Sequence, residues 1–263
     1  MAQVSRFQAR SLIVTGAAQG IGKQVALEAA AEGARLTLVD RAPLVQDVAA
    51  EINREYGQGQ AQAFEADLET WSGNEETMAR AYRSFGAIDA LITNVGGAIW
   101  MKPFEQFGEK EIIAEINRSL YPTLWGCRAV LPYMYEQNRG AIVNVSSIAT
   151  RGVNRMPYSA AKGAVNALTA SLAFEIGSRN IRVNAVAPGG TTAPPRKVPR
   201  NAEKQTAEDK AWMQQVVDQT ISSSPMGRYG LLKEMSAAIL FLASDAASYI
   251  TGTVLPVGGG DQG

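Results

Sequence analysis

Tyr158 and Lys162 stand four residues apart in Tyr-Ser-Ala-Ala-Lys, so a helix carrying them sets a phenol and an ammonium on one face. A free phenol has a pKa of about 10, and at neutral pH only about one in a thousand is the phenolate that removes a proton from an alcohol. A Lys⁺ one turn away favours the charged form and moves the phenol toward the range a general base needs. The spacing recurs in Tyr229-Gly-Leu-Leu-Lys233, so context has to separate the two. Ahead of Tyr158 runs Gly140-Ala-Ile-Val-Asn-Val-Ser-Ser147, an apolar strand ending in two hydroxyls, whereas ahead of Tyr229 stands only a turn, Ser224-Pro-Met-Gly227. Only the first pair has a partner donor nearby. The chain has no His, which removes Ser-His-Asp and Cys-His triads and the usual zinc sites. Tyr, Lys and carboxylates are left to move protons, and no metal is expected.

The elements that position these groups follow from the hydrophobic pattern. Short β-rich runs near 11–15, 35–39, 61–66, 89–92, 140–146, 181–187 and 253–257 alternate with helical stretches. Strands separated by helices predict a doubly wound, Rossmann-type α/β fold, with seven parallel strands and helices on both faces. The 263 residues suit one domain. One segment breaks the rhythm: 191–225 carries Pro194, Pro195 and Pro199 beside Arg196, Lys197 and Arg200, then an amphipathic stretch near 207–221. It is too long for an ordinary connection and is read as a substrate lid.

The first strand, Leu12-Ile-Val-Thr15, runs into Gly16-Ala-Ala-Gln19-Gly20-Ile21-Gly22 and then a helix. A glycine turn there lets a pyrophosphate approach backbone N–H groups at the positive end of the helix. The next strand ends in Asp40, 18 residues past Gly22, near the spacing at which an acid binds the adenosine ribose diol. Together they point to a dinucleotide. Asp40 repels a 2′-phosphate and favours NAD over NADP; Arg41 beside it leaves the choice open, although Gln19 supplies no second basic residue.

Lys+Arg and Asp+Glu number 25 each, so zero net charge offers no footprint for nucleic acid or an acidic membrane, and the partner is expected to be a small molecule. The longest clean apolar run, 237–243, cannot span a bilayer, and the first ten residues carry no apolar signal core, so a cytoplasmic protein is expected. The single Cys127 excludes an intrachain disulfide framework and reads as a packed helix residue.

In their order along the chain these motifs resemble the short-chain dehydrogenase/reductase family over nearly the whole length. Thr15-Gly-Ala-Ala-Gln-Gly-Ile-Gly22 is similar to its cofactor turn, and Asp67-Leu68 to the pair that holds adenine. Thr93-Asn94-Val-Gly96 resembles its Asn-Asn-Ala-Gly stretch, and Pro188-Gly189, followed by Thr191, its nicotinamide-side turn. The resemblance implies that Ser147 polarises the substrate oxygen and Tyr158 exchanges its proton. It implies that Lys162 lowers the Tyr pKa while binding the nicotinamide ribose. The chain departs from the family pattern where Thr93 and Val95 replace Asn and Ala, and where Ser119 takes the place of the relay Asn. The segment from Ser147 to Tyr158 is also short, and Gly258 replaces a C-terminal Asp.

Within the family, the segments 94–104, 118–125, 149–158 and 187–191 resemble bacterial cis-diol dehydrogenases acting on 1,6-dihydroxycyclohexa-2,4-diene-1-carboxylate. That resemblance implies NAD-dependent oxidation of a cyclic cis-diol carboxylate to catechol with loss of CO₂. Arg151 or Arg155 is then read as the guanidinium that holds the substrate carboxylate, in competition with Arg196, Lys197 and Arg200. Trp100 either lines an apolar wall for the ring or fills core. A homotetramer assembled through helices near 107–136 and 157–178 is also implied. The alternatives are an NADPH-dependent carbonyl or 3-oxoacyl reductase and a non-catalytic dinucleotide-binding protein.

Overall fold

The apolar runs become strands of one parallel sheet in the computed structural model, which describes residues 5–263. In chain order the strands are β1 (Ser11–Thr15), β2 (Arg35–Asp40), β3 (Ala61–Glu65), β4 (Ala90–Thr93), β5 (Gly140–Val145), β6 (Ile181–Pro188), β7 (Thr191–Thr192), β8 (Gly230–Leu231) and β9 (Val254–Val257). The helices are α1 (Gly20–Ala31), α2 (Leu44–Tyr56), α3 (Trp71–Phe85), α4 (Glu109–Ser119), α5 (Tyr121–Gln137), α6 (Met156–Ile176), α7 (Ala207–Ser222) and α8 (Leu232–Ala243). The sheet order is β3-β2-β1-β4-β5-β6-β9 with every pairing parallel, as expected from the alternating pattern.

Both faces of the sheet are covered, which is why its central strands are buried, and mostly apolar, at nearly every position rather than at alternate ones. Leu12, Val14, Leu36, Leu38, Ile92 and Val143 pack against α1, α2 and α8 through Val25, Val45, Ile52, Ile239 and Leu240. The intervening Ile13, Leu91, Ile142 and Val183 face the other way, onto Met78, Val130, Met134 and Ile176 of α3, α5 and α6. A buried polar ladder ties the centre to α6: Thr93 Oγ1 donates to Asn144 Oδ1 (2.8 Å), and Asn144 Nδ2 donates to Thr169 Oγ1 (2.9 Å). The Thr that departs from the family stretch is therefore fully paired.

Two features differ from the sequence expectation. The long helix expected near 107–136 is broken at Leu120, and Pro122, which lacks an N–H, sits in the first turn of the new helix where no intrahelical donor is needed. The excursion 191–225 is tied at its base by the parallel pair β7–β8, Thr191 opposite Gly230 and Thr192 opposite Leu231. Strand order reverses between β1 and β4, and in such sheets the ligand crevice lies at the carboxyl ends beside that reversal. Among the described residues no helix is long and apolar enough to cross a membrane.

Candidate active site

Two cavities open on that crevice. The first, about 430 Å³, is lined by Gly16, Gln19, Gly20, Ile21, Asp40, Asp67, Leu68, Asn94, Gly96 and Thr191, so ten of the expected cofactor residues meet there. Gly16 (φ +64°) and Gly20 (φ +62°) turn the chain in the left-handed region that glycine tolerates. Gly22 lies behind the cavity, where a Cβ would overlap the carbonyl oxygen of Gly16, so its role is to let α1 start tight against the turn. Asn94 Nδ2 donates to the carbonyls of Thr15 and Gly16 (3.1 Å each), and the Asn94 N–H donates to Thr15 Oγ1 (2.9 Å). The end of β4 thus clamps the glycine turn. Asp40 is fixed by the N–H groups of Ala18 (3.1 Å) and Ala42 (3.0 Å).

The 191–225 excursion closes over this cavity. Gln19 Nε2 donates to the Val198 carbonyl (2.9 Å), and Gln19 Oε1 accepts the Lys197 N–H (3.1 Å). Arg196 and Arg200 line the cavity and have no carboxylate in ion-pair range among the described residues. Burial, then the neighbouring Arg200 charge, pushes the Arg196 guanidinium down to about 10. Glycine backbone, helix N-terminus, uncompensated cations and a fixed acid suit a diphosphate joined to a ribose diol.

The second cavity, about 370 Å³, is lined by Ser147, Tyr158, Lys162, Pro188, Gly189 and Arg155 and shares Ile21, Asn94, Gly96, Thr191 and Arg200 with the first. The two are halves of one crevice. α6 begins just after Arg155 with Pro157 in its first turn, and its inner face carries Tyr158 and Lys162. Lys162 is buried, donates from Nζ to the Val145 carbonyl (2.7 Å), and sits 5.9 Å from the Tyr158 ring centroid. Gly96 makes the room, since a Cβ there would stand 3.1 Å from Nζ. Burial first, and the Arg200 charge second, push the Lys162 ammonium down to about 7; a phenolate at Tyr158 would draw it back up. Ser147 Oγ accepts the Ala149 N–H (3.0 Å), which leaves its own hydrogen free for a ligand.

Arg155 is the unusual group of this cavity. Its Nε is buried without a hydrogen-bond partner, and Nη2 makes only 3.5 Å contacts to Gln219 Oε1 and Thr220 Oγ1. Burial lowers its pKa, while Tyr158, Tyr229 and Asp261 act in the opposite direction. Arg151, the other expected anchor, does not line the cavity: its backbone is extended (φ −130°, ψ 107°) and its side chain is exposed. Nor does Trp100, which is neither wall nor core: its Nε1 donates outward to Glu203 Oε2 (3.2 Å). Ser119 is buried outside both linings and accepts the Gly97 N–H at 3.4 Å, with Gly96 lying between it and Lys162.

Two lining or supporting residues, Tyr229 and Glu115, were not expected at the site from the sequence. Tyr229, from the second Tyr-Lys match, packs on Gly190 and lines the same cavity, whereas Lys233 does not. Arg200, expected as a competitor for the substrate carboxylate, touches both halves of the crevice. Glu115, on α4, is a fully buried carboxylate that no local pattern separates from a surface helix residue.

A profile of the short chain dehydrogenase family matches residues 10–205. A 1,6-dihydroxycyclohexa-2,4-diene-1-carboxylate dehydrogenase of Acinetobacter baylyi is 62% identical over 263 residues, covering 100% of both chains. A Pseudomonas putida protein of the same name is 57% identical over 258 residues, 98% of this chain and 94% of that one. The crystal structure of levodione reductase superposes with a TM-score of 0.86 at 31% identity, covering 97% of this chain and 98% of the other. With the profile and these full-length relatives in agreement with the glycine turn and the Tyr158–Lys162 cavity, the chain belongs to the short-chain dehydrogenase family.

Proposed function

We propose that the protein oxidises 1,6-dihydroxycyclohexa-2,4-diene-1-carboxylate with NAD, giving catechol, CO₂ and NADH. The observation that carries this reading is the half-buried Arg155 in the wall of the Tyr158 cavity, its Nε buried without a partner and no carboxylate in ion-pair range among the described residues, in a chain 62% identical to a dehydrogenase named for that carboxylate. A partly desolvated guanidinium without a counter-ion is a receptor for one. The alternative, a carbonyl or 3-oxoacyl reductase, gives that charge no partner.

The nucleotide cavity fits NAD. Gly16, Gly20 and the start of α1 take the diphosphate, Asp40 the adenosine ribose, and Asp67 and Leu68 the adenine; Lys162, Pro188, Gly189 and Thr191 take the nicotinamide end. Arg41 is exposed and lies 3.9 Å from Glu69, so the fixed Asp40 carboxylate dominates that end and NADP is disfavoured. NAD supplies the hydride acceptor. In the second half of the crevice Tyr158, as phenolate, takes the proton of the secondary hydroxyl, Ser147 donates to that oxygen, and Lys162 stabilises the phenolate. Only the secondary carbinol carbon carries a hydrogen, so the hydride leaves from there. The product is a ketone β to the carboxylate, whose C–C bond to CO₂ then breaks; its electron pair becomes the ring double bond that makes the ring aromatic, and one proton goes to the former ketone oxygen, giving catechol. Arg155 orients the carboxylate.

The 191–225 segment serves as the lid, latched through Gln19, and the protein is a cytoplasmic homotetramer in this reading. Incubation of purified protein with NAD and a panel of cis-diols tests the function. Catechol, CO₂ and NADH in equal amounts from the carboxylated diol are expected. Efficient oxidation of neutral cis-diols or reduction of 3-oxoacyl substrates, without catechol formation, would refute it.

A further inference from the structure

The loop that follows β4 carries the floor of the substrate cavity, yet it makes few hydrogen bonds of its own. Gly96 (φ +148°) and Gly97 (φ +120°) hold backbone conformations that only glycine adopts readily, and Ala98 and Met101 line the cavity beside Tyr158. Its N–H groups are taken instead by one face of α4. Glu115 Oε1 accepts from Ile99 (2.7 Å) and from Trp100 (2.9 Å), and Ser119 Oγ, four residues on, accepts from Gly97 (3.4 Å). The i, i+4 spacing makes this possible. Beyond it, the Lys102 N–H donates to the Asn154 carbonyl (2.7 Å), and Asn154 Nδ2 donates to Gln215 Oε1 of α7 (2.8 Å). Trp100 Nε1 reaches Glu203 in the 191–225 segment.

A carboxylate is a costly way to fill such a position. Glu115 is fully buried, its Oε2 has no partner, and burial raises its pKa against the pull of the two N–H bonds and of Arg118 and Arg200. A leucine would pack there without that cost, but it would leave two loop N–H groups unpaired. We propose that Glu115 is a positioning residue for substrate. Its carboxylate fixes the Ile99 and Trp100 peptides, and through them the Ala98–Met101 wall and the contact of Trp100 with the lid. Ser119 belongs to the same brace. The choice of substrate in the test rests on the proposed function, whereas the amide readout does not.

The experiment compares Glu115→Gln, which keeps one acceptor oxygen, with Glu115→Leu, which keeps the volume alone. The leucine variant is expected to raise KM for the carboxylated diol about tenfold or more with NAD KM within about twofold, and the glutamine variant to stay within about threefold of wild type. Hydrogen exchange at the Ile99 and Trp100 amides should speed up in the leucine variant and not in the glutamine variant. If the leucine protein does not fold, Glu115→Asp, which withdraws the carboxylate by one methylene, is expected to raise the diol KM by about three- to tenfold. An unchanged diol KM in a folded leucine or aspartate variant, an equal rise in both KM values, or a glutamine variant as impaired as leucine would overturn the proposal. Wild-type protein that turns over no carboxylated diol would refute the functional reading instead, and the exchange comparison would still decide the role of Glu115.

Discussion

Replacing Arg155 with methionine separates binding from stability, because the structure gives its guanidinium almost nothing to lose in the ligand-free fold. Nε has no partner and Nη2 has only two contacts at 3.5 Å. Removing one member of a desolvated, hydrogen-bonded charge pair costs about 2–5 kcal/mol. Taking about 3–4 kcal/mol, kcat/KM for the carboxylated diol should fall by about 10²–10³, at about 1.4 kcal/mol per tenfold. Arg155→Lys retains the charge without the planar fork and should recover part of that loss. The control is the diol without its carboxylate, for which kcat/KM should stay within about threefold. Stability should move the other way. Burial lowers the Arg155 pKa, so its charged form opposes folding, and the methionine variant should melt at the wild-type temperature or above it. Paired steady-state assays on both diols and a thermal melt make the comparison. Equal losses on the two diols, or a methionine variant that melts well below wild type, would refute the assignment of Arg155 as a carboxylate receptor.

Tyr158→Phe keeps the ring and loses only the hydroxyl, so kcat should drop at least about 10²–10⁴-fold with NAD affinity preserved; near-normal turnover in this variant alongside an inactive Tyr229→Phe would mean that the other tyrosine is the base. Ser147→Ala should cost more in kcat than Ser119→Ala, since Ser147 lines the cavity and Ser119 faces the loop backbone; the opposite ranking counts against both placements. Asp40→Ala should narrow the preference for NAD over NADP, measured as the ratio of kcat/KM values, and equal efficiencies in the wild type would contradict the role of Asp40. Lys162 has a folded-state pKa of about 7, below its ordinary value, so the unfolded chain binds more protons above that pH. Without NAD, wild-type stability should therefore rise relative to Lys162→Met as pH increases from about 7 toward the ordinary lysine value of about 10.4, and a flat difference in denaturant titrations would contradict it.

The parts of the site that were legible in the sequence are those fixed by local geometry. A glycine turn between a strand and a helix, and a Tyr and a Lys one helical turn apart, carry their spatial relation in their spacing, and both cavities contain them. The central strands were legible because they are largely apolar runs buried on both faces, and the edge strands β3 and β9 because they continue the strand–helix alternation. What escaped depends on tertiary direction. Arg151 and Arg155 lie four residues apart on one irregular segment, and only the extended backbone at Arg151 turns it outward. Tyr229 enters the site from β8's approach because Gly190 leaves space for its ring, a contact between segments almost forty residues apart with no sequence signature. Glu115 reads as a solvated acid on a charged helix, and only the fold of the loop over it reveals the burial. The break at Leu120 was signalled by Pro122, but a proline in a first turn and one in a kinked helix look alike in sequence.

The most direct test follows the hydride. Deuterium placed on the ring carbon that bears the secondary hydroxyl of 1,6-dihydroxycyclohexa-2,4-diene-1-carboxylate should appear quantitatively in the reduced cofactor, leaving unlabelled catechol and one CO₂ per turnover. Mass spectrometry of both products reads the outcome. Unlabelled NADH, or deuterium retained in the organic product, would contradict hydride transfer from that carbon and with it the roles proposed for Tyr158, Ser147 and Lys162.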